Sequence, residues 1–334
     1  MKAMTLASRK TGYWLEQKDV EIGNPAEGEV LVKVENCGVC RTDLHIAEGD
    51  LGVTDKRLIP GHEGIGRVVA TGSGVTDVEV GERVGVPWLH GTCGRCEYCV
   101  SGRENLCPEK IFTGYTVNGA FAEFVLARSS YVLRIPDEIS SAQAAPLMCS
   151  GIIGYRAFKI ARPSPGGKIG IFGFGSSAHI ICQVAYMLGY EVAAVSRSEE
   201  HLELARRLGA SGSFVSGDAP SALRGKLDSA LLFAPSGIAM KDALECLKPG
   251  GTLSIPLIHM NAVSDMDYEK HLFHEKKVIT VEANTRADAN EFMRLAGSLK
   301  IRSVLEEYPM LRANEALLAL RESRINGAAV LDIT

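Results

Sequence analysis

Four cysteines, Cys93, Cys96, Cys99 and Cys107, crowd into the stretch CGRCEYCVSGRENLC with the spacing C-x2-C-x2-C-x7-C. Four soft thiolates from one short loop suit tetrahedral zinc and leave no coordination position for a substrate. An iron–sulfur cluster is a rival reading, because the first spacings and the Pro108 after Cys107 are ferredoxin-like, although the last spacing is long for that pattern. Disulfides within the cluster are a third, disfavoured in a reducing compartment. The whole chain has nine cysteines, an odd number.

A second group of donors is scattered. NCGVCRTDLH carries Cys37, Cys40, Asp43 and His45; GHEGIGRVVATGSGV carries His62 and Glu63; PLMCSG carries Cys149. Mixed cysteine and histidine donors from separate segments are what a catalytic zinc uses, with three protein ligands and a fourth position open. Taken singly these residues are unremarkable, since a lone cysteine packs as a small hydrophobe.

A third motif is GFGSSA, Gly173 to Ala178, after the run GKIGIF and before a helical pattern. It fits G-x-G-x-x-G/A. Gly173 makes the tight turn, Gly175 lets backbone approach a pyrophosphate, and Ala178 allows close packing of helix on strand. Ser176 and Ser177 open the helix, whose free N–H groups and dipole favour an anion. The next strand ends in Ser196-Arg197 with no acid until Glu199. A carboxylate there would hold a ribose 2′-hydroxyl, whereas a hydroxyl and a guanidinium suit a 2′-phosphate. NADP(H) is therefore expected over NAD(H); if Arg197 merely faces solvent, either cofactor is accepted.

The elements that must position these residues fall into two textures. Residues 1–150 hold short β-branched runs such as EVLVKVE, GRVVATG and YVLRIP between turn signals, which predicts an irregular β-rich domain. Residues 151–286 alternate apolar strands (GKIGIF, EVAAVSR, SALLFAP, GGTLSIPLI) with helical patterns (SSAHIICQVAYMLG, SEEHLELARRLG), which predicts βαβ units on a parallel sheet. The tail, residues 287–334, is expected to give two helices and a last strand that return to the first domain.

Composition bounds the rest. The 334 residues are 46% hydrophobic and 23% charged, with a formal net charge of −4. These values describe a globular chain long enough for two cores. No block of Lys or Arg points to nucleic acid or an anionic membrane surface. MKAMTLASRKTGYW lacks an apolar stretch of signal-peptide length, so a cytoplasmic location is expected.

Together, G-H-E-x2-G-x5-G-x2-V from Gly61, the four-cysteine loop and G-x-G-x-x-A resemble the zinc-dependent alcohol dehydrogenases of the medium-chain dehydrogenase/reductase superfamily. VPWLHGTCGRCEYC, GRENLCP and GYTVNGAFAE are especially similar to yeast and bacterial members. The resemblance implies a GroES-like catalytic domain beside a Rossmann domain. It puts the catalytic zinc on Cys40, His62 and Cys149, and a structural zinc on the four-cysteine loop, so two zinc ions per chain. Glu63 would stand beside the metal or serve as an alternative ligand; Asp43 would fix the tautomer of His62. Cys37 matches no ligand.

By the same resemblance, zinc lowers the pKa of a bound alcohol and hydride passes to C4 of a nicotinamide. The proton would leave through Thr42, the cofactor ribose and His45. Arg41 would contact the pyrophosphate, Trp88 and Leu89 would line the substrate pocket, and Ile255 to Ile258 would lie near the nicotinamide. Two departures bear on cofactor affinity: His179 follows Ala178 where a small apolar residue is usual, and Ala328 stands where many relatives have an arginine. A homo-oligomer, tetramer or dimer, is implied. The alternatives are a polyol, formaldehyde or aryl-alcohol dehydrogenase of the same family, or a non-catalytic NADPH-binding protein on this fold.

Overall fold

Two compact units, Met1–Ile152 with Asn284–Thr334 and Ile153–Ala283, make up the fold. The computed structural model describes residues 1–7, 14–53 and 57–334.

The first unit is built on a seven-stranded sheet around Glu29–Val39, which pairs antiparallel with Gly64–Thr71, Phe124–Arg128 and the last strand, Ala328–Asp332. In EVLVKVENCGV the β-branched residues alternate, so Val30, Val32 and Val34 point into the core at 0%, 0% and 2% exposure. The tail supplies the helices Arg286–Ser298 and Ala313–Arg321 and this last strand. It also supplies a strand that periodicity did not mark: LEEYP, Leu305–Pro309, which runs parallel to Ala328–Asp332 at the sheet edge. Its burial is only partial, so no clean apolar alternation announces it.

The second unit is a six-stranded, all-parallel sheet. From one edge the strands are Gly212–Val215, Glu191–Ser196, Lys168–Phe172, Leu227–Leu232, Leu247–Ile255 and Lys277–Thr280. Numbered along the chain this is the order 3-2-1-4-5-6 of a doubly wound dinucleotide-binding sheet, whose ligand crevice lies at the carboxyl ends of the strands where the order reverses. Phe172, Leu231 and Leu253, all fully buried, lie at its centre. Helix Glu199–Arg207 illustrates the local coding. Ser198 caps its N-terminus by accepting from His201 N–H, two glutamates open it and two arginines close it, each suited to the helix dipole.

Candidate active site

Helix Arg41–Glu48 starts at Cys40, whose extended backbone (φ −106°, ψ 158°) makes it the N-cap. Asp43, three residues on, turns back: its Oδ2 accepts from Cys40 N–H at 2.9 Å. Its Oδ1 accepts from Gly61 N–H at 3.0 Å and from His62 Nδ1 at 3.1 Å. Asp43 and His62 are both wholly buried. An ionised carboxylate only accepts, so the ring proton of His62 sits on Nδ1 and Nε2 is left as a lone-pair donor. That Nε2 is buried without a hydrogen-bond partner. It shares a space with the Cys40 and Cys149 thiols and the Glu63 carboxyl, whose donor atoms all lie within 4.8 Å of one another.

A buried nitrogen without a partner costs about 1–3 kcal/mol, and a metal ion in this space would remove that cost. Two sulfurs and an imidazole form a soft set with one position to spare, which fits zinc in a catalytic site. The electrostatics favour cation binding. A hydrogen bond from Cys149 holds Cys40 well below the usual thiol range, against the opposing effect of burial, and the same contact pushes Cys149 up. Burial, the largest single effect, would lower the His62 pKa, but the charge and hydrogen bond of Asp43 together with the Cys40 thiol outweigh it and the net direction is up. Burial raises Glu63, with the Cys40 charge adding to it. Glu63 Oε1 accepts from both the N–H and the hydroxyl of Ser150, each at 3.2 Å.

Gly38 makes room for that carboxyl. A Cβ there would collide with Glu63 Oε2 and with its Cβ. Gly38→Ala should therefore expel Glu63 from its place, lowering unfolding stability by about 1–3 kcal/mol. Urea unfolding alongside steady-state rates checks this: unchanged stability with unchanged kcat would refute the packing argument.

Trp88 closes one side. Its ring meets His62 edge-on at 4.8 Å and stacks on Phe112 at 4.6 Å and on Tyr115 at 5.8 Å. Leu89, expected beside it in the substrate pocket, is only 1% exposed within the short strand Leu89–Gly91. Thr42 Oγ1 stands 3.7 Å from Cys40 Sγ. His45, one turn further along the helix, engages Asp50 Oδ2 through Nδ1 at 2.8 Å. Arg41 is exposed and donates to the Leu320 carbonyl at 3.1 Å. Cys37 is wholly buried, its thiol turned to the Gly38 carbonyl.

The four-cysteine lobe gathers its thiols without disulfides, with Sγ–Sγ distances of 3.5 Å (Cys96–Cys99), 3.6 Å (Cys93–Cys107) and 3.9 Å (Cys93–Cys99). Four sulfurs at the zinc–sulfur bond length lie about 3.8 Å apart on a tetrahedron. The four donors fit one ion. Backbone N–H groups of Arg95 and Cys96 pull the Cys93 thiol down to about 7, whereas Cys96, against a backbone hydrogen bond from Cys99, is pushed up to about 11 by burial and the neighbouring thiols.

In the second unit, Gly173 adopts φ 89°, and a Cβ there would lie 2.6 Å from Ala234 N. Gly175 has the opposite property: a Cβ on it would meet nothing within 4 Å, leaving open space above the backbone. No side chain caps helix Ser176–Met187, so its first N–H groups are available to phosphate, while Ala178 is wholly buried in the packing. Ser196 is 6% exposed, and its hydroxyl accepts from Ser198 N–H at 3.3 Å and lies 3.4 Å from His201 Nδ1. It is thus partly engaged inside its own turn. Arg197 is exposed.

Residues 26–137 match the model of the alcohol dehydrogenase GroES-like domain and residues 178–298 that of the zinc-binding dehydrogenases. A Mycobacterium tuberculosis protein named "Probable alcohol dehydrogenase AdhA" is 44% identical over 322 residues, 95% of this chain and 92% of its own length. The chain belongs to the zinc-dependent medium-chain alcohol dehydrogenases. Among solved structures, a cinnamyl alcohol dehydrogenase of Sorghum bicolor is similar with a TM-score of 0.91 and 27% identity, covering 99% of this chain and 97% of that one. An acetophenone reductase of Geotrichum candidum, solved with NAD, gives 0.86 and 28% over 99% and 97%. The protein is accordingly an oxidoreductase acting on alcohols, with zinc and a nicotinamide cofactor.

Some parts of this dehydrogenase's site escaped the reading of its sequence. Phe112 and Tyr115 complete the aromatic wall, Ser150 anchors Glu63 and Gly38 makes room for it. Ser150 adjoins Cys149, so a hydroxyl next to an expected ligand was the available signal. Gly38 carried none, because its partner lies across a strand pair. Among the described residues no helix of the dehydrogenase is long and apolar enough to cross a membrane.

Proposed function

We propose that this dehydrogenase interconverts primary or secondary alcohols and their aldehydes or ketones, with NADP(H) preferred and NAD(H) second. The observation that carries the active-site assignment is the buried, partnerless His62 Nε2 beside the Cys40 and Cys149 thiols. Zinc bound by Cys40, His62 and Cys149 supplies Lewis acidity, which favours the deprotonated alcohol near neutral pH and polarises the carbonyl in reverse.

The chain's own residues do the rest. Asp43 holds the imidazole in one tautomer and one orientation. Trp88, stacked on Phe112 and Tyr115, keeps bulk water from the His62 side and narrows the space toward slender substrates. The Thr42 hydroxyl both donates and accepts, as a proton relay requires; His45, held by Asp50, passes the proton to solvent. Glu63 is buried beside the donors as an alternative ligand. The open backbone at Gly175 and the uncapped helix after it suit the pyrophosphate. A second zinc in the four-cysteine lobe, assembly into a tetramer or dimer, and a cytoplasmic location complete the reading.

Arg197 is the discriminating residue for the cofactor. An exposed guanidinium can hold a 2′-phosphate by charge-assisted hydrogen bonds, and Ser196 offers no carboxylate to repel it. The test is the specificity constant for NADPH and for NADH with one short aliphatic aldehyde. NADPH should be preferred, and Arg197→Ala should weaken NADPH about tenfold or more while leaving NADH within about twofold. Equal weakening of both would refute charge recognition at this position.

A further inference from the structure

Glu104 lies within the cysteine lobe, on the short turn Glu104–Leu106, yet it is only 5% exposed. Its Oε1 accepts from Arg286 N–H at 2.9 Å and lies 3.5 Å from Arg286 Nε. Arg286 is the first residue of helix Arg286–Ser298. Glu104 therefore puts an acceptor and a negative charge where that helix has unsatisfied N–H groups and the positive end of its dipole.

The contacts continue back to the thiols. The Arg286 guanidinium sits over the Tyr131 ring, 4.9 Å from its centroid. Tyr131 OH and Thr92 Oγ1 are 2.6 Å apart, and Thr92 Oγ1 is 3.4 Å from Cys99 Sγ. Two routes thus join the lobe to one helix end: Cys99–Thr92–Tyr131–Arg286, and Glu104 itself, whose carbonyl accepts from Cys107 N–H at 3.0 Å. Further along the helix, Phe292 bears on Gly151, two residues beyond Cys149; a Cβ on Gly151 would lie 2.5 Å from that ring.

We propose that Glu104, Tyr131 and Thr92 are positioning residues through which metal in the four-cysteine lobe fixes the first turn of helix Arg286–Ser298, and with it the support behind the Cys149 segment. The inference rests on the reading of the lobe as zinc-loaded. Its physical basis is the geometry of these contacts. Four sulfurs gathered on one ion fix the loop that carries Glu104, and with it the carboxylate on Arg286 N–H. The same ion fixes Thr92 beside Cys99 and, through the Tyr131 hydroxyl, the ring on which the Arg286 guanidinium sits. Stripping the metal releases the sulfurs from one another and frees the loop that carries Glu104.

Amide hydrogen exchange over residues 286–293 reads the link, with zinc content measured on the same samples. In the wild-type protein carrying two zinc equivalents, selective removal of the lobe zinc should speed exchange there by about tenfold, the worth of one charge-assisted hydrogen bond. Glu104→Ala should exchange faster with zinc in place, and stripping should then add less than it does in the wild type. Tyr131→Phe, which keeps the ring and loses only the hydroxyl, should fold normally and show a smaller response to stripping. If the helix ignores stripping in the wild type, or if stripping and Glu104→Ala speed exchange independently, the link is overturned while the lobe zinc stands. A lobe that takes up no zinc overturns the two-zinc reading, and the link with it.

Discussion

Cys149→Ser will lower kcat for alcohol oxidation by about three orders of magnitude, the scale of the several kcal/mol that a correctly held metal contributes. Cys149 lies at a break in the chain, φ −126° and ψ −67°, between the turn Ala145–Met148 and helix Ser150–Ala161. A hydroxyl there keeps its proton near neutral pH and is a harder, shorter donor than a thiolate, so it makes a poor third ligand beside Cys40 and His62. Packing around Ser changes little, because one oxygen replaces one sulfur at a half-buried position, and thermal unfolding should shift by only a few degrees. Cys99→Ser is the contrast: it removes a corner of the lobe tetrahedron, so the melting temperature should fall clearly while surviving molecules keep kcat within about threefold. Metal content, melting temperature and kcat, measured together on both variants, decide the matter. Equal loss of activity at unchanged stability in both would refute the division into a catalytic and a structural set.

What the sequence made legible follows from how local each signal is. The four-cysteine lobe is coded within one loop, and its spacing alone suggested a closed tetrahedral site. The fingerprint Gly173 to Ala178 is equally local, because strand, turn and helix are contiguous and each glycine has one job. The proposed catalytic set is different. Cys40, His62 and Cys149 come from three separate segments, and only the resemblance to known dehydrogenases singled them out. Once folded, one carboxylate explains much of their arrangement, since Asp43 ties the Cys40 cap to Gly61 and His62. Side-chain direction was least legible. Ser196 occupies the expected position at the end of its strand, but its hydroxyl accepts from Ser198 N–H within its own turn. The half-buried edge strand Leu305–Pro309 was missed for a related reason: its pairing partner, not its own pattern, makes it a strand.

Acid should destabilise the protein from pH 6.5 downward, because two histidines are folded away in their neutral form. Burial lowers His90 and His179 each from 6.5 to about 4. For His90 the neighbouring Arg128 charge adds to burial, and its buried Nδ1 has no hydrogen-bond partner. For His179, wholly buried in the helix that follows the nucleotide fingerprint, the carbonyls of Gly175 and Ser176 oppose burial and are outweighed. In both cases the folded state binds protons more weakly than the unfolded chain. As pH falls below 6.5 the unfolded chain takes up a proton at each site while the native state does not. Stability present above 6.5 is therefore lost progressively down to about 4. Between pH 6.5 and pH 5 the loss should be about 1.5 kcal/mol per histidine, a large part of an ordinary domain's margin. Urea unfolding at several pH values across that interval, on the wild-type protein and on His179→Gln, provides the measurement. The variant should lose the dependence of about one proton, and its second unit should resist acid better than that of the wild type relative to neutral pH. A slope identical to the wild type would mean that His179 is protonated in the native state, against the burial argument.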